Sequence, residues 1–304
     1  MKIAIDIGYG DTKIVYKSGD TLKQIKFPSA IEDLGFNATN FGSKMENEYE
    51  FEGFNYRVGE ATFNALDTRT FNFLIEYAPL LTYHAIQLIK KEIPDIKYDE
   101  IELYTGLSIF NWDKHQEFIK RLKEFVVNNE VVRFKKIKLF AQGQGVYLDC
   151  KNETNPQNET MVVDVGYNTL DVLVFKDNKP IKNLCYGVEF GIYKIITELK
   201  NLLDNEFKTN LSEQKVKQAF IDKKITLGGK EIKLEDKINK LKTKYTKNLI
   251  NSLYAKSKNT LLEADKVILS GGGAYYLDKG SFYENMIFSK NPYEFSNARG
   301  YHNG

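Results

Sequence analysis

The feature that most constrains this chain is a strand, tight turn and strand that occurs twice. Residues 3 to 15 read Ile-Ala-Ile-Asp-Ile-Gly-Tyr-Gly-Asp-Thr-Lys-Ile-Val, and residues 161 to 175 read Met-Val-Val-Asp-Val-Gly-Tyr-Asn-Thr-Leu-Asp-Val-Leu-Val-Phe. Asp164, Gly166 and Tyr167 repeat Asp6, Gly8 and Tyr9 in the same register. β-Branched residues on both sides of each turn predict paired strands, and Gly8 and Gly10 supply the backbone freedom a tight reversal needs. Consecutive amides in such a turn can form a concave anion site. The echo implies an internal duplication in which Lys13 of one copy corresponds to Asp171 of the other.

Composition narrows the remaining classes. The 304 residues, 42% hydrophobic, are enough for two domains, and the alternation of strand and helix along the chain gives them α/β character. Lys and Arg number 43 against 41 Asp and Glu, a net charge of +2 that gives no reason to expect direct nucleic-acid or membrane binding. Cys150 and Cys185 stand far apart without a Cys-x-x-Cys motif, which supports neither a disulfide framework nor a zinc site and fits a reducing compartment. No apolar run approaches membrane-spanning length and the first residues enter a strand without a leader pattern, so a cytoplasmic location is expected. His84, His115 and His302 are dispersed, and neither a Gly-x-Ser-x-Gly elbow nor a Gly-x-x-x-x-Gly-Lys loop occurs.

Along the chain, residues 49 to 58 alternate as a hairpin within a small insert of about 30 to 70. Residues 71 to 93 carry helical spacing, with a break or a new start expected at Pro79. Ile101 to Leu107 reads as a strand, Phe118, Leu122, Phe125 and Val126 as one helix face, and Ile137, Leu139 and Ala141 as a strand running into Gln142-Gly143-Gln144-Gly145. A polar stretch around Asn155-Pro156 marks the domain boundary. Residues 187 to 203 predict a helix, Gly228-Gly229 a two-residue hairpin, and residues 235 to 262 a long lysine-rich helix. A short strand then meets Ser270-Gly271-Gly272-Gly273-Ala274, where bare backbone permits close approach of a ligand.

Two Asp-x-Gly hairpins, a Gln-bearing strand end between them and a late Gly-Gly-Gly turn resemble the actin, Hsp70 and sugar-kinase superfamily. Residues 295 to 301, with Asn297-Ala298-Arg299-Gly300, and the Tyr56-Arg57-Val58-Gly59-Glu60 pattern are similar to its plasmid-segregating, ParM-related branch. The resemblance implies a two-domain actin-like fold with ATP, or GTP, in the cleft: residues 1 to 147 and 290 to 304 in one domain, and 148 to 289, with a helical insert of about 203 to 262, in the other. It implies phosphate contacts from Gly8, Tyr9, Gly10, Asp11, Thr12 and Lys13 and from Gly166, Tyr167, Asn168 and Thr169. Gly271, Gly272 and Gly273 would face the nucleoside, with Gly187 at the start of an opposing helix.

Asp6 and Asp164 would hold Mg²⁺, and Gln142, with Gln144 as the competitor, would position the attacking water. Asp171 either helps to order that water or caps its turn. The resemblance implies an ATPase that forms filaments of its own copies and acts on plasmid DNA through a DNA-binding adaptor protein. The alternatives are a small-molecule kinase of the same superfamily and a nucleotide-binding structural or regulatory protein with negligible hydrolysis.

Overall fold

The computed structural model describes residues 1–35, 46–59, 62, 65–68 and 70–304. Glu60, the last residue of the Tyr56 to Glu60 pattern, and much of the small insert therefore lie outside the described residues. The first half of the chain runs through β1 (Lys2–Ile7), β2 (Asp11–Ser18), β3 (Thr21–Pro28), β4 (Ile31–Asp33), β5 (Glu48–Phe51), β6 (Phe54–Val58), α1 (Phe71–Lys90) and β7 (Glu102–Leu107). It continues through α2 (His115–Lys123), β8 (Glu124–Val127), β9 (Glu130–Arg133), β10 (Lys136–Ala141) and α3 (Gln144–Asp149). The second half contains β11 (Thr160–Val165), β12 (Leu170–Lys176), β13 (Lys179–Pro180), β14 (Tyr186–Val188), α4 (Tyr193–Phe207) and α5 (Glu213–Asp222). It ends with β15 (Lys224–Leu227), β16 (Lys230–Lys233), α6 (Glu235–Glu263), β17 (Lys266–Ser270), β18 (Met286–Phe288) and α7 (Ser296–Asn303).

Two sheets repeat one plan. The first has the order β10-β7-β1-β2-β3, the second β13-β12-β11-β17-β18 with β14 also on β12. In each, the central strand pairs antiparallel with the strand after its turn and parallel with a strand from later in the chain. Asp6 lies opposite Lys13, and Asp164 opposite Asp171, so the duplication read from sequence holds residue by residue. Near-continuous burial of β1, β11 and β12 follows from their Val and Ile runs, as expected of strands covered on both faces.

The third sheet, β4-β6-β5-β8-β9, joins the insert hairpin to residues 124–133. This corrects the helix face that was expected to include Phe125 and Val126. The helix stops at Lys123; beyond it Glu124 and Val126 are exposed while Phe125 and Val127 are buried, the two-residue period of a strand.

The break expected at Pro79 does not occur either, because α1 runs through it. Proline removes the N–H that Ile75 O would accept four residues back. Arg121 takes that place, with Nε donating to Ile75 O at 3.1 Å and Nη2 to Glu76 O at 3.0 Å. Gly228 and Gly229 form the β15–β16 turn as expected, with φ of 54° and 76°.

At the end of the chain, α7 returns to pack on α3 and the first sheet. Gly145 and Gly300 make this approach possible, since a Cβ on Gly300 would fall on the Gly145 carbonyl. Arg299 anchors the helix. Its guanidinium donates to Asp149 Oδ1 at 3.0 Å and Oδ2 at 2.7 Å, and to the carbonyls of Pro292 and Lys290 at 2.9 and 2.7 Å. Tyr301 stacks on Phe140 with ring centres 5.1 Å apart. Among the described residues, no helix is long and apolar enough to cross a membrane.

Candidate active site

The two turns meet at a cleft of about 550 Å³. Each is closed by the same backbone bond: Gly8 N–H donates to Asp11 O at 3.1 Å, and Gly166 N–H to Thr169 O at 2.8 Å. They face each other closely enough that a Cβ on Gly10 would lie 3.3 Å from Tyr167 Cβ. A Cβ on Gly8 would stand 2.9 Å from Lys13 Nζ, so glycine keeps the lysine in its place at the cleft floor.

Asp6 and Asp164 stand one residue before the ends of the two central strands, and both line the cleft. Asp6 Oδ2 receives Lys13 Nζ at 3.3 Å, and Asp6 Oδ1 accepts from Gln142 Nε2 at 3.0 Å. Asp164 Oδ2 accepts from Asn297 Nδ2 at 2.6 Å. Burial first, then the charge of Asp6, pushes Asp164 up to about 6, opposed by the Asn297 hydrogen bond and Lys13. For Lys13, burial favours the neutral form, but Asp6, Asp11 and Asp164 outweigh it and hold the ammonium above its ordinary value. A floor with two adjacent carboxylates and one fixed cation suits a charged ligand.

The expected residues separate into wall and support. Asp6, Gly8, Tyr9, Gly10, Asp11, Lys13, Gln142, Asp164, Gly166, Tyr167, Thr169, Asp171, Gly271 and Gly272 line the cleft. Thr12, Asn168, Gly187 and Gly273 do not appear on its wall. Thr12 is buried behind it, its hydroxyl 2.9 Å from that of Ser29. Gly273 packs on Val165 and Ile192. Asn168 is buried, and its side-chain amide has no hydrogen-bond partner among the described residues. Of the two glutamines, Gln142 reaches the cleft while Gln144 opens α3.

The placement of Gly187 at a helix start is corrected. It lies in β14 opposite Asp171, and α4 begins only at Tyr193. Glycine is needed there because any Cβ would run into the backbone N of Phe110. Asp171 belongs to the same junction: its Oδ1 accepts from Ser108 Oγ at 2.8 Å and Ile109 N–H at 2.7 Å. Burial, then Asp164, pushes Asp171 up to about 7 against these bonds and that of Thr169.

At Gly271, φ is +85°, in the region that favours glycine, and a Cβ would fall on the Val165 carbonyl and the Asp164 carboxylate. Beyond this turn lies a compartment that the sequence reading did not reach. It is lined by Lys217, Phe220 and Ile221 from α5, Ile238, Asn239 and Lys242 from α6, and Tyr275 and Tyr276. Lys217 Nζ lies 3.9 Å from the Tyr167 ring centre, and the Tyr167 hydroxyl donates to Glu213, so α5 also touches the second turn. At the rim, Lys26 Nζ meets Glu294 Oε1 at 2.7 Å, and Tyr275 OH donates to Glu294 Oε2 at 2.7 Å.

Among the described residues, no group of three or more His, Cys, Asp and Glu side chains could hold a metal ion by itself. Two carboxylates match a hard cation that keeps waters and takes its other ligands from phosphate, as Mg²⁺ does.

A duplicated sheet-and-turn unit with a polar cleft between its copies is the architecture of actin-like proteins, and the family comparison agrees. The model of the actin-like protein N-terminal domain matches residues 4–145, and that of the archaeal actin homologue MreB-like C-terminal region matches residues 162–280. The chain belongs to the actin-like proteins, with their two-domain fold.

Among solved structures it is similar to Ta0583, an archaeal actin homologue in complex with ADP, with 18% identity, a TM-score of 0.76 and coverage of 99% of this chain and 97% of that one. A 15-stranded ParM filament from Clostridium botulinum gives 21% identity, a TM-score of 0.71 and the same coverage, 99% and 97%. Bacillus thuringiensis ParM with ATP gives 15% identity, a TM-score of 0.67 and coverage of 98% and 96%. No curated protein matches the chain in sequence.

Proposed function

We propose that this chain binds ATP or GTP with Mg²⁺ in the cleft, hydrolyses it, and assembles with its own copies into nucleotide-dependent filaments that segregate plasmid DNA through a DNA-binding adaptor. The observation that carries this reading is the pair of facing turns, whose strands carry Asp6 and Asp164 onto the cleft wall together with Lys13, bonded to Asp6. Nucleotide binding is supported by the structures of Ta0583 with ADP and of Bacillus thuringiensis ParM with ATP. Filament formation is supported by the Clostridium botulinum ParM filament.

In this mechanism the turn amides on either side of the cleft hold phosphate oxygens, and Lys13 neutralises their charge. Asp6 and Asp164 would hold the Mg²⁺, which when bound draws negative charge from the phosphates. Gln142 spends its amide N–H on Asp6, leaving its carbonyl to accept from and orient a water. The bare backbone at Gly271 and Gly272 and the aromatic compartment beyond receive the nucleoside.

A kinase acting on a small molecule would need a carboxylate base facing its hydroxyl substrate. The nearest candidate, Asp171, has Ser108 and Ile109 bonded to one oxygen and Thr169 to the other. This favours water as the acceptor.

The deciding experiment is light scattering of the purified protein after addition of Mg-ATP, with phosphate release followed in the same sample. A rise in scattering that accompanies phosphate release is the expected result. Phosphate release without a rise over a wide protein concentration range would contradict filament formation, and a rise with no phosphate release would contradict hydrolysis.

A further inference from the structure

Asn297 stands in the first turn of α7, 133 positions from Asp164 in the chain, yet its side chain touches both sides of the site. Only 5% of it is exposed. Its Nδ2 donates to Asp164 Oδ2 at 2.6 Å, and its Oδ1 accepts the Gly143 N–H at 2.9 Å. Gly143 directly follows Gln142, whose own amide donates to Asp6 at 3.0 Å. A single planar amide therefore joins one carboxylate of the floor to the loop that carries Gln142.

The chemistry admits few substitutes. The Asp164 carboxylate needs a donor and the Gly143 N–H an acceptor, and an amide offers them as two separate atoms held in one plane, where a hydroxyl would have to serve both from a single oxygen. A carboxylate would face Asp164 as a like charge, and an apolar side chain would leave two buried groups unpaired. The position of the amide is itself fixed: Arg299 clamps α7 to Asp149 two residues further on, and Gly145 and Gly300 bring the two helices into backbone contact.

We infer that Asn297 is a positioning residue, which fixes the direction in which Asp164 presents its free oxygen to the cation and, through Gly143, the placement of Gln142 toward water. This rests on the reading of the cleft as a nucleotide-hydrolysing site. Asn297 touches neither phosphate nor water in this account; it acts through Asp164 and Gly143. Outer hydrogen bonds of this kind set how well a metal-holding carboxylate is aimed.

The test compares wild type with Asn297→Ala, using binding of fluorescently tagged ADP in Mg²⁺ and in EDTA, and phosphate release at saturating Mg-ATP. The gain in affinity that Mg²⁺ confers on the wild type is expected to fall by about fivefold or more in the variant, while affinity in EDTA stays within about threefold. Its kcat is expected to fall by about tenfold or more. Equal weakening in Mg²⁺ and EDTA, or a kcat within twofold of wild type, would overturn the inference.

Should Asn297→Ala fail to fold, Asn297→Asp keeps the size and the acceptor for Gly143 but removes the donor. A loss of about tenfold in kcat is expected there too, and activity within twofold of wild type would overturn the inference. If wild type itself releases no phosphate, the hydrolysis reading falls separately, and the Mg²⁺ to EDTA affinity ratio still decides the role of Asn297.

Discussion

Ser108 donates its hydroxyl proton to Asp171 at 2.8 Å, tying the end of the first sheet to the return strand of the second directly beneath the cleft. The tie has a pH signature. Asp171 is pushed up from its ordinary 3.8 to about 7, first by burial and then by Asp164, so between these values the folded chain holds a proton that the unfolded chain has released. Its contribution to stability is therefore full below about pH 4 and is lost as pH rises through about 7. Asp171→Asn keeps the shape and cannot ionise. Measured by urea unfolding, the variant should gain roughly 2–4 kcal/mol relative to wild type between pH 4 and pH 8. Parallel pH profiles for the two proteins would contradict this account of Asp171.

What the sequence revealed and what it hid follow from distance along the chain. The two strand-turn-strand copies are local and carry β-branched runs and turn glycines, so both turns and the Lys13 to Asp171 correspondence could be read directly. Phe125 and Val126 extend the apolar helical spacing of Phe118 and Leu122 because a helix and a strand abut at Lys123 without a glycine or proline between them. Pro79 suggested a break because the compensating Arg121 lies in another helix. Gly187 was displaced because its need for glycine comes from Phe110, across the junction between the sheets.

Asn297 could be noted as part of a closing motif, but its bond to Asp164 depends on α7 returning to the cleft. The compartment formed by Phe220, Asn239 and Tyr275 has no local signal at all, since it is assembled from α5, α6 and the glycine turn.

Arg299 and Asp149 form a buried ion pair, with side-chain exposures of 9% and 5%. Removing one partner leaves the other charge without compensation. Arg299→Ala should lower unfolding stability by about 3–5 kcal/mol. A loss below about 1 kcal/mol in denaturant titration would show that α7 is held by its apolar contacts instead.

Two glycines with positive φ should respond differently to alanine. At Gly228, φ is +54° and no atom stands within 4 Å of the position a Cβ would take, so only backbone strain of about 1–2 kcal/mol is expected. At Gly271 the Cβ would also strike the Val165 carbonyl and Asp164. Gly271→Ala should therefore cost more stability than Gly228→Ala and also weaken nucleotide binding. Equal thermal shifts with unchanged binding would refute the close approach at this turn.

Lys13 is the only lysine bonded to Asp6 among the described residues, and replacing it leaves Asp6 and Asp164 facing each other without that cation. Lys13→Ala should weaken binding of tagged ATP by about tenfold or more, and added salt should then reduce affinity less than in wild type. An unchanged dissociation constant and salt dependence would place the phosphates elsewhere.

The central claim is that this cleft turns over nucleotide with water placed by Gln142. Its most direct test is phosphate release at saturating Mg-ATP from wild type and Gln142→Ala, with binding of tagged ATP measured on both. The account predicts release by wild type, a fall in kcat of about tenfold or more in the variant, and ATP affinity within about threefold. Equal release from both proteins, or none from wild type that binds ATP, would contradict it.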